Sequence, residues 1–214
     1  MKLAWAILTV MLLCAVMYLG RQQSSFASSP GPALEQNRVA TPSSGSGHRL
    51  AESLQRKLDH IRDNAAQVHP SKTPTVMTEE EVNDYFASGR VKLPQGVKKV
   101  TLQGRSGVVT GFLTVDFDEI RSGQRSSNPL LAIFSGRHEV RLEADAAGSD
   151  GQGKVHVRSV SIDGLDVPRL ALQFFVTKFI TPKYPNVGID SEFQMPDRID
   201  AATVGYHKLT VIQQ

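Results

Sequence analysis

The chain has 214 residues, of which 40% are hydrophobic and 21% charged, with 17 Gly, 11 Pro and a single Cys. The hydrophobic share is too high for a wholly disordered chain and Gly and Pro are too sparse for a fibrous one, while one Cys excludes an intramolecular disulfide framework and a Cys-based zinc cluster. The net charge of +3 belongs to the N-terminal third, because 17 basic and 17 acidic residues balance from His69 onward; with no clustered Lys/Arg and no interleaved aromatics, no nucleic-acid partner is expected.

Leu3–Leu19 is apolar throughout except for Thr9, with Lys2 before it and Gly20-Arg21 after it. Its 17 residues exceed the usual signal-peptide core of about 7–15 and reach the lower limit of about 17 for a spanning helix. Residues 1–21 are therefore read as a membrane anchor or a signal peptide. Lys2 and the α-amine outweigh Arg21, which keeps the amino end cytoplasmic and exports the rest. The expected location is the cell membrane, single-pass, with the domain on the extracytoplasmic side. The alternative is a secreted or periplasmic protein cleaved near Ala27, since Ser25-Phe26-Ala27 has the small residues that cleavage needs. Cys14 lacks the small residues of a lipoprotein site before it and reads as apolar filler.

Residues 22–47 are rich in Ser, Gly, Pro and Gln and read as a flexible linker. The spacing of Leu50, Leu54, Leu58, Ile61, Ala65 and Val68 predicts an amphipathic helix over 48–68, lying on the following domain or pairing as a short coiled coil. The exported domain occupies 70–214. Thr78-Glu79-Glu80-Glu81 fits a capping box for a short helix carrying Val82, Tyr85 and Phe86, ended near Ser88-Gly89. Val97–Gln103 and Val108–Phe117 form a first hairpin with Val109, Leu113, Val115 and Phe117 on one face. Asn128-Pro129 opens a short helix closed by Gly136.

A second hairpin, Glu139–Ala146 with Lys154–Asp163, alternates Val140, Leu142 and Ala144 against charged neighbours, and its return strand changes phase near Arg158-Ser159, as a bulge would. A helix is predicted over 166–181, with Leu172, Phe175, Val176, Phe179 and Ile180 as its apolar stripe and Leu170 and Phe174 widening it. Arg198–Val204 and His207–Ile212 make a third hairpin. The fold class expected is α+β, an antiparallel and curved sheet of three hairpins packed on a long C-terminal helix.

No chemistry-bearing motif emerges. His48, His60, His69, His138, His156 and His207 show no pair at ligand spacing, Asp116, Asp118 and Glu119 read as a solvated strand end, and no G-x-S-x-G, H-E-x-x-H or phosphate loop is present. Neither catalytic residues, metal ligands nor cofactors are expected. The bulky stripe of the 166–181 helix either packs a solid core or, with Leu113 and Val115, leaves an apolar slot for an acyl chain, with Leu172, Phe175, Val176 and Phe179 as its lining.

Thr78-Glu79-Glu80-Glu81-Val82-Asn83, Pro94-Gln95-Gly96-Val97, Val115-Asp116-Phe117, Val160–Pro168 and Phe193-Gln194-Met195-Pro196 follow one another in an order that resembles bacterial exported LmeA-like and YceB-like domains, over residues 76–212. Met195 replaces a Leu of that pattern, and no Pro precedes Phe193. The resemblance implies a curved antiparallel sheet around a long helix, related to tubular lipid-binding domains, without catalytic residues to carry over. It implies a non-enzymatic, membrane-tethered module that binds a lipid or another amphiphile in the cell envelope. The alternative is a structural domain that engages another envelope protein through a sheet edge or the 48–68 helix.

Overall fold

The computed structural model describes residues 44–121 and 129–214. Leu3–Leu19, the expected cleavage site, residues 22–43 of the linker and Asn128 lie outside the described residues. Among the described residues no helix is long and apolar enough to cross a membrane.

The architecture is α+β, with nine antiparallel strands in one sheet and four α-helices among the described residues. The helices are α1 (Ser44–Ala65), α2 (Glu79–Ala87), α3 (Phe117–Ile120) and α4 (Arg169–Phe175). The strands are β1 (Thr75–Thr78), β2 (Val97–Arg105), β3 (Val108–Asp116), β4 (Arg137–Ser149), β5 (Gln152–Ile162), β6 (Leu165–Asp166), β7 (Asp190–Gln194), β8 (Ile199–Gly205) and β9 (Lys208–Gln213). The sheet order is β1-β9-β8-β4-β3-β2, and β5 joins β4 while also pairing with β6 and β7.

Helix α1 begins four residues earlier than its pattern implies and ends at Ala65. Ala51, Leu54, Leu58 and Ile61 are buried to 1% exposure or less, and the helix packs on α2 and β1. Val68, expected on the stripe, is 86% exposed. The reason is Asn64, whose side chain grips Ser71 through both its amide nitrogen and its carbonyl and turns the chain away before Val68. Helix α2 carries both bonds of the capping box: Glu81 N donates to Thr78 Oγ1, and Thr78 N donates to Glu81 Oε2.

Strands β4 and β5 turn through Asp150-Gly151, and β5 and β6 through Asp163-Gly164. All four residues have positive φ, from 49° to 81°, which suits Asp and Gly in two-residue hairpin turns. The pairing slips between Glu143 and Ala144, whose partners are Ser159 and Val157, so Arg158 is the extra residue of a bulge.

Three departures from the expected pattern bear on the site. Strands β1 and β7 are additional to the three hairpins, and β6 replaces the predicted start of the last helix. That helix is not long: Pro168 holds Val167 out of helical geometry, α4 starts at Arg169, and after seven α-helical residues the chain widens into a π-helix over Val176–Ile180. Its stripe is also narrower than expected, because Leu170 and Phe174 are 60% and 45% exposed. One helix against one sheet buries a single face. The Phe193–Met195 segment meanwhile fills pits in the second hairpin: a Cβ on Gly153 would lie 2.5 Å from the Phe193 ring, and one on Gly148 would lie 2.6 Å from Met195 Sδ.

Candidate functional site

Where α4 and the π-helix cross the inner face of β3, β4 and β5, the side chains leave a cavity of about 50 Å³. Its walls are apolar throughout. Leu113 and Val115 come from β3, Val140 and Leu142 from β4, Val160 from β5, and Leu172, Phe175 and Val176 from the helix, with Phe117, Ile120 and Phe134 closing one end. Alternation puts these strand residues on one face, and the β3–β4 register sets Leu113 opposite Val140 and Gly111 opposite Leu142.

Of the six residues expected to line a slot, Leu113, Val115, Leu172, Phe175 and Val176 do line this cavity. Phe179 does not. It is buried beside Phe175, ring centroids 5.3 Å apart, one turn farther along. The closing end is an aromatic cluster: Phe134 stacks on Phe175 at 4.2 Å, and Phe117 meets both edge-on at 5.4 and 5.5 Å. Phe134 and Phe117 each belong to a visible apolar pattern, but only the β3–β4 pairing and the return of the 129–136 segment bring them to Phe175.

The cavity is a third of the roughly 150 Å³ that admits a benzene-sized guest in an engineered core. It is a seam that a chain-like apolar ligand would have to widen. A second cavity of about 40 Å³ lies between α2 and the β8–β9 hairpin; its surface is also largely apolar, from Met77, Val82, Leu102, Val109, Val204 and Leu209, but it is smaller and more open to solvent, so it is the poorer candidate for an apolar guest.

At the end of the first cavity, on the same face of β4 as Val140, stands His138, whose ring centroid is 6.2 Å from that of Phe117. Its Nδ1 lies 2.5 Å from Asp163 Oδ2 and its Nε2 lies 2.6 Å from the Ser135 carbonyl. The hydrogen bond to Asp163, and then that to Ser135, raises the pKa of His138 above its ordinary 6.5. Asp163, reciprocally, is held below its ordinary 3.8, first by His138 and then by the Glu139 N–H.

Two further imidazoles face carboxylates. His156 pairs with Asp190, which Arg169 also reaches at 3.4 Å. His207 Nδ1 lies 2.8 Å from Glu79 Oε2, which accepts the Gly104 N–H as well. Sequence spacing hides these three pairs, because each joins residues at least 25 positions apart. Among the described residues no hydroxyl or thiol is hydrogen-bonded to any of these rings, and no three His, Cys, Asp or Glu side chains converge as metal ligands. What the arrangement offers chemically is an apolar seam with a histidine–aspartate pair at its end. No protein-family model, no curated protein and no solved structure matches the chain.

Proposed function

We propose that this protein is a non-enzymatic, membrane-tethered module on the extracytoplasmic side that binds a lipid or other amphiphile in the cell envelope. The observation that supports it is the wholly apolar lining of the helix–sheet seam, which contains no polar wall residue and so suits a hydrocarbon chain. An N-terminal anchor at Leu3–Leu19 and a sheet curved about the short C-terminal helix belong to the same proposal. The test is native mass spectrometry of the full chain purified from membranes, wild type beside Val176→Phe, in which a phenyl ring occupies the seam. A discrete lipid-mass adduct carried by the wild type and lost from the variant supports the reading. Identical adducts in both, or none in either, overturn it.

A second reading, an envelope interaction domain with a solid core, has its own observation. Leu165, Leu170 and Phe174 are 68%, 60% and 45% exposed around the start of α4, on the side of the helix away from the cavity. The 48–68 helix is less available for that role, since its stripe is already buried on α2 and β1. Substituting Leu170 and Phe174 with Ser leaves lipid adducts intact under the first reading and abolishes envelope-protein cross-links under the second.

A further inference from the structure

His138 has two neighbours that only accept hydrogen bonds: a carboxylate oxygen at 2.5 Å and a backbone carbonyl at 2.6 Å. A neutral imidazole carries one N–H, so both bonds exist together only when the ring is the imidazolium. The two partners belong to different parts of the cavity's end. Ser135 directly follows Phe134, which is 1% exposed and stacked on Phe175. Asp163 opens the β5–β6 turn that leads into α4, and its other oxygen accepts the Glu139 N–H at 2.9 Å.

We propose that His138 is a protonation-dependent latch on the apolar seam: the charged ring holds the Phe134–Ser135 segment against Phe175, and loss of its proton frees that segment and opens the seam to a hydrocarbon chain. The inference rests on the ligand-binding reading above. The direction follows from the partners. A neutral ring keeps its single proton for the Asp163 carboxylate, the stronger acceptor. The Nε2 lone pair then faces the Ser135 carbonyl, and that contact turns repulsive.

The charged groups on the surrounding elements have partners of their own. On α3, Asp118 accepts from Arg121 at 2.8 Å and from the Gly136 N–H at 3.2 Å. At the end of β3, Asp116 caps α3 through the Glu119 N–H and lies 3.7 Å from Arg137. On β4 itself, Glu139 accepts the Thr114 hydroxyl, and beyond α4 Lys183 donates to the Ile120 carbonyl. Asp163 is the carboxylate in contact with the ring. Because the folded pKa of His138 is raised, the latch is closed below the ordinary value near 6.5 and opens as pH climbs through the higher folded value.

The test is hydrogen–deuterium exchange of the full chain in lipid nanodiscs from pH 5.5 to 9, corrected for intrinsic rates, with and without dodecanol, a neutral chain that does not itself titrate. The wild type is expected to lose about tenfold protection or more in 129–136, the effect of losing one charge-assisted hydrogen bond to the Ser135 carbonyl. Dodecanol should restore protection there and in 169–180, more strongly at high pH. His138→Gln should show the low protection at every pH, and Asp163→Asn should move the transition downward. Exchange in 129–136 that is flat with pH in the wild type overturns the latch, whatever dodecanol does. Exchange that titrates while dodecanol protects nothing in 129–180 upholds the latch and overturns the cavity as a ligand slot.

Discussion

Glu81 is 5% exposed and so carries a charge with little access to water. Burial alone would raise its pKa, but hydrogen bonds from Lys57 Nζ, Ser53 Oγ and the Thr78 N–H, at 2.6–2.9 Å, outweigh that and hold it below the ordinary 4.5. A depressed folded pKa stabilises above the ordinary value, and that stability is lost as pH falls through the folded one. Glu81→Gln should therefore cost about 2–4 kcal/mol near neutral pH, with half of a largely buried pair removed. It should also flatten the loss of stability below pH 4.5, which urea unfolding from pH 3 to 7 would read. Gly96 is a second single-residue test. Its φ is +87°, and a Cβ there would lie 2.6 Å from both the Asp116 carbonyl and Ile120 Cγ1. Gly96→Ala should cost ~3 kcal/mol or more through strain and clash together. Gly107→Ala, with φ +80° and nothing within 4 Å, should cost about 1 kcal/mol.

Elements whose signal is local are legible in the amino-acid sequence. The Thr78 box, the period-2 faces of β3 and β4 and the Arg158 bulge depend on neighbouring residues alone. Elements held by distant partners are not. Strand β1 is four residues, Thr-Val-Met-Thr, that become a strand by pairing with β9, and Asp190–Gln194 is too polar to announce β7 until Gly153 receives the Phe193 ring. The last helix is visible as an apolar stripe, but spacing cannot tell α from π over five residues, nor which flank meets water. The end of α1 rests on the same kind of distant tie. Asn64 Nδ2 donates to Gln213 Oε1 at 2.9 Å, and Gln213 Nε2 donates to the Ile61 and Asp197 carbonyls, both at 2.7 Å. Gln213→Leu leaves the Asn64 amide and those two carbonyls short of partners in a buried place, and should cost about 2–3 kcal/mol by thermal or urea unfolding.

Across the whole molecule, the candidate site is where a legible half meets an illegible one. Helix residues Leu172, Phe175 and Val176 and strand residues Leu113 and Val115 each announce an apolar face. That the faces do not close completely depends on the β3–β4–β5 register and on the return of Phe134, which no local spacing encodes. The packing around Phe175 is tight, with three rings at 4.2–5.5 Å, so Phe175→Ala should cost ~3–5 kcal/mol like other core aromatics. Val176 shares the cavity wall with Phe175 but is not part of the ring cluster. Val176→Phe should leave the melting temperature unchanged or raise it, as cavity filling does, whereas in a solid core the extra ring would cost about 1–3 kcal/mol. Entry of a hydrocarbon chain into this seam is read by photolabelling the full chain in bilayers with a diazirine-bearing fatty alcohol and mapping the adducts by peptide mass spectrometry. Adducts are expected on the peptides holding Leu113–Phe117, Phe134–Leu142 and Leu172–Val176, with their loss in Val176→Phe; labelling confined to Leu3–Leu19, or equal in wild type and variant, overturns the seam as the binding site.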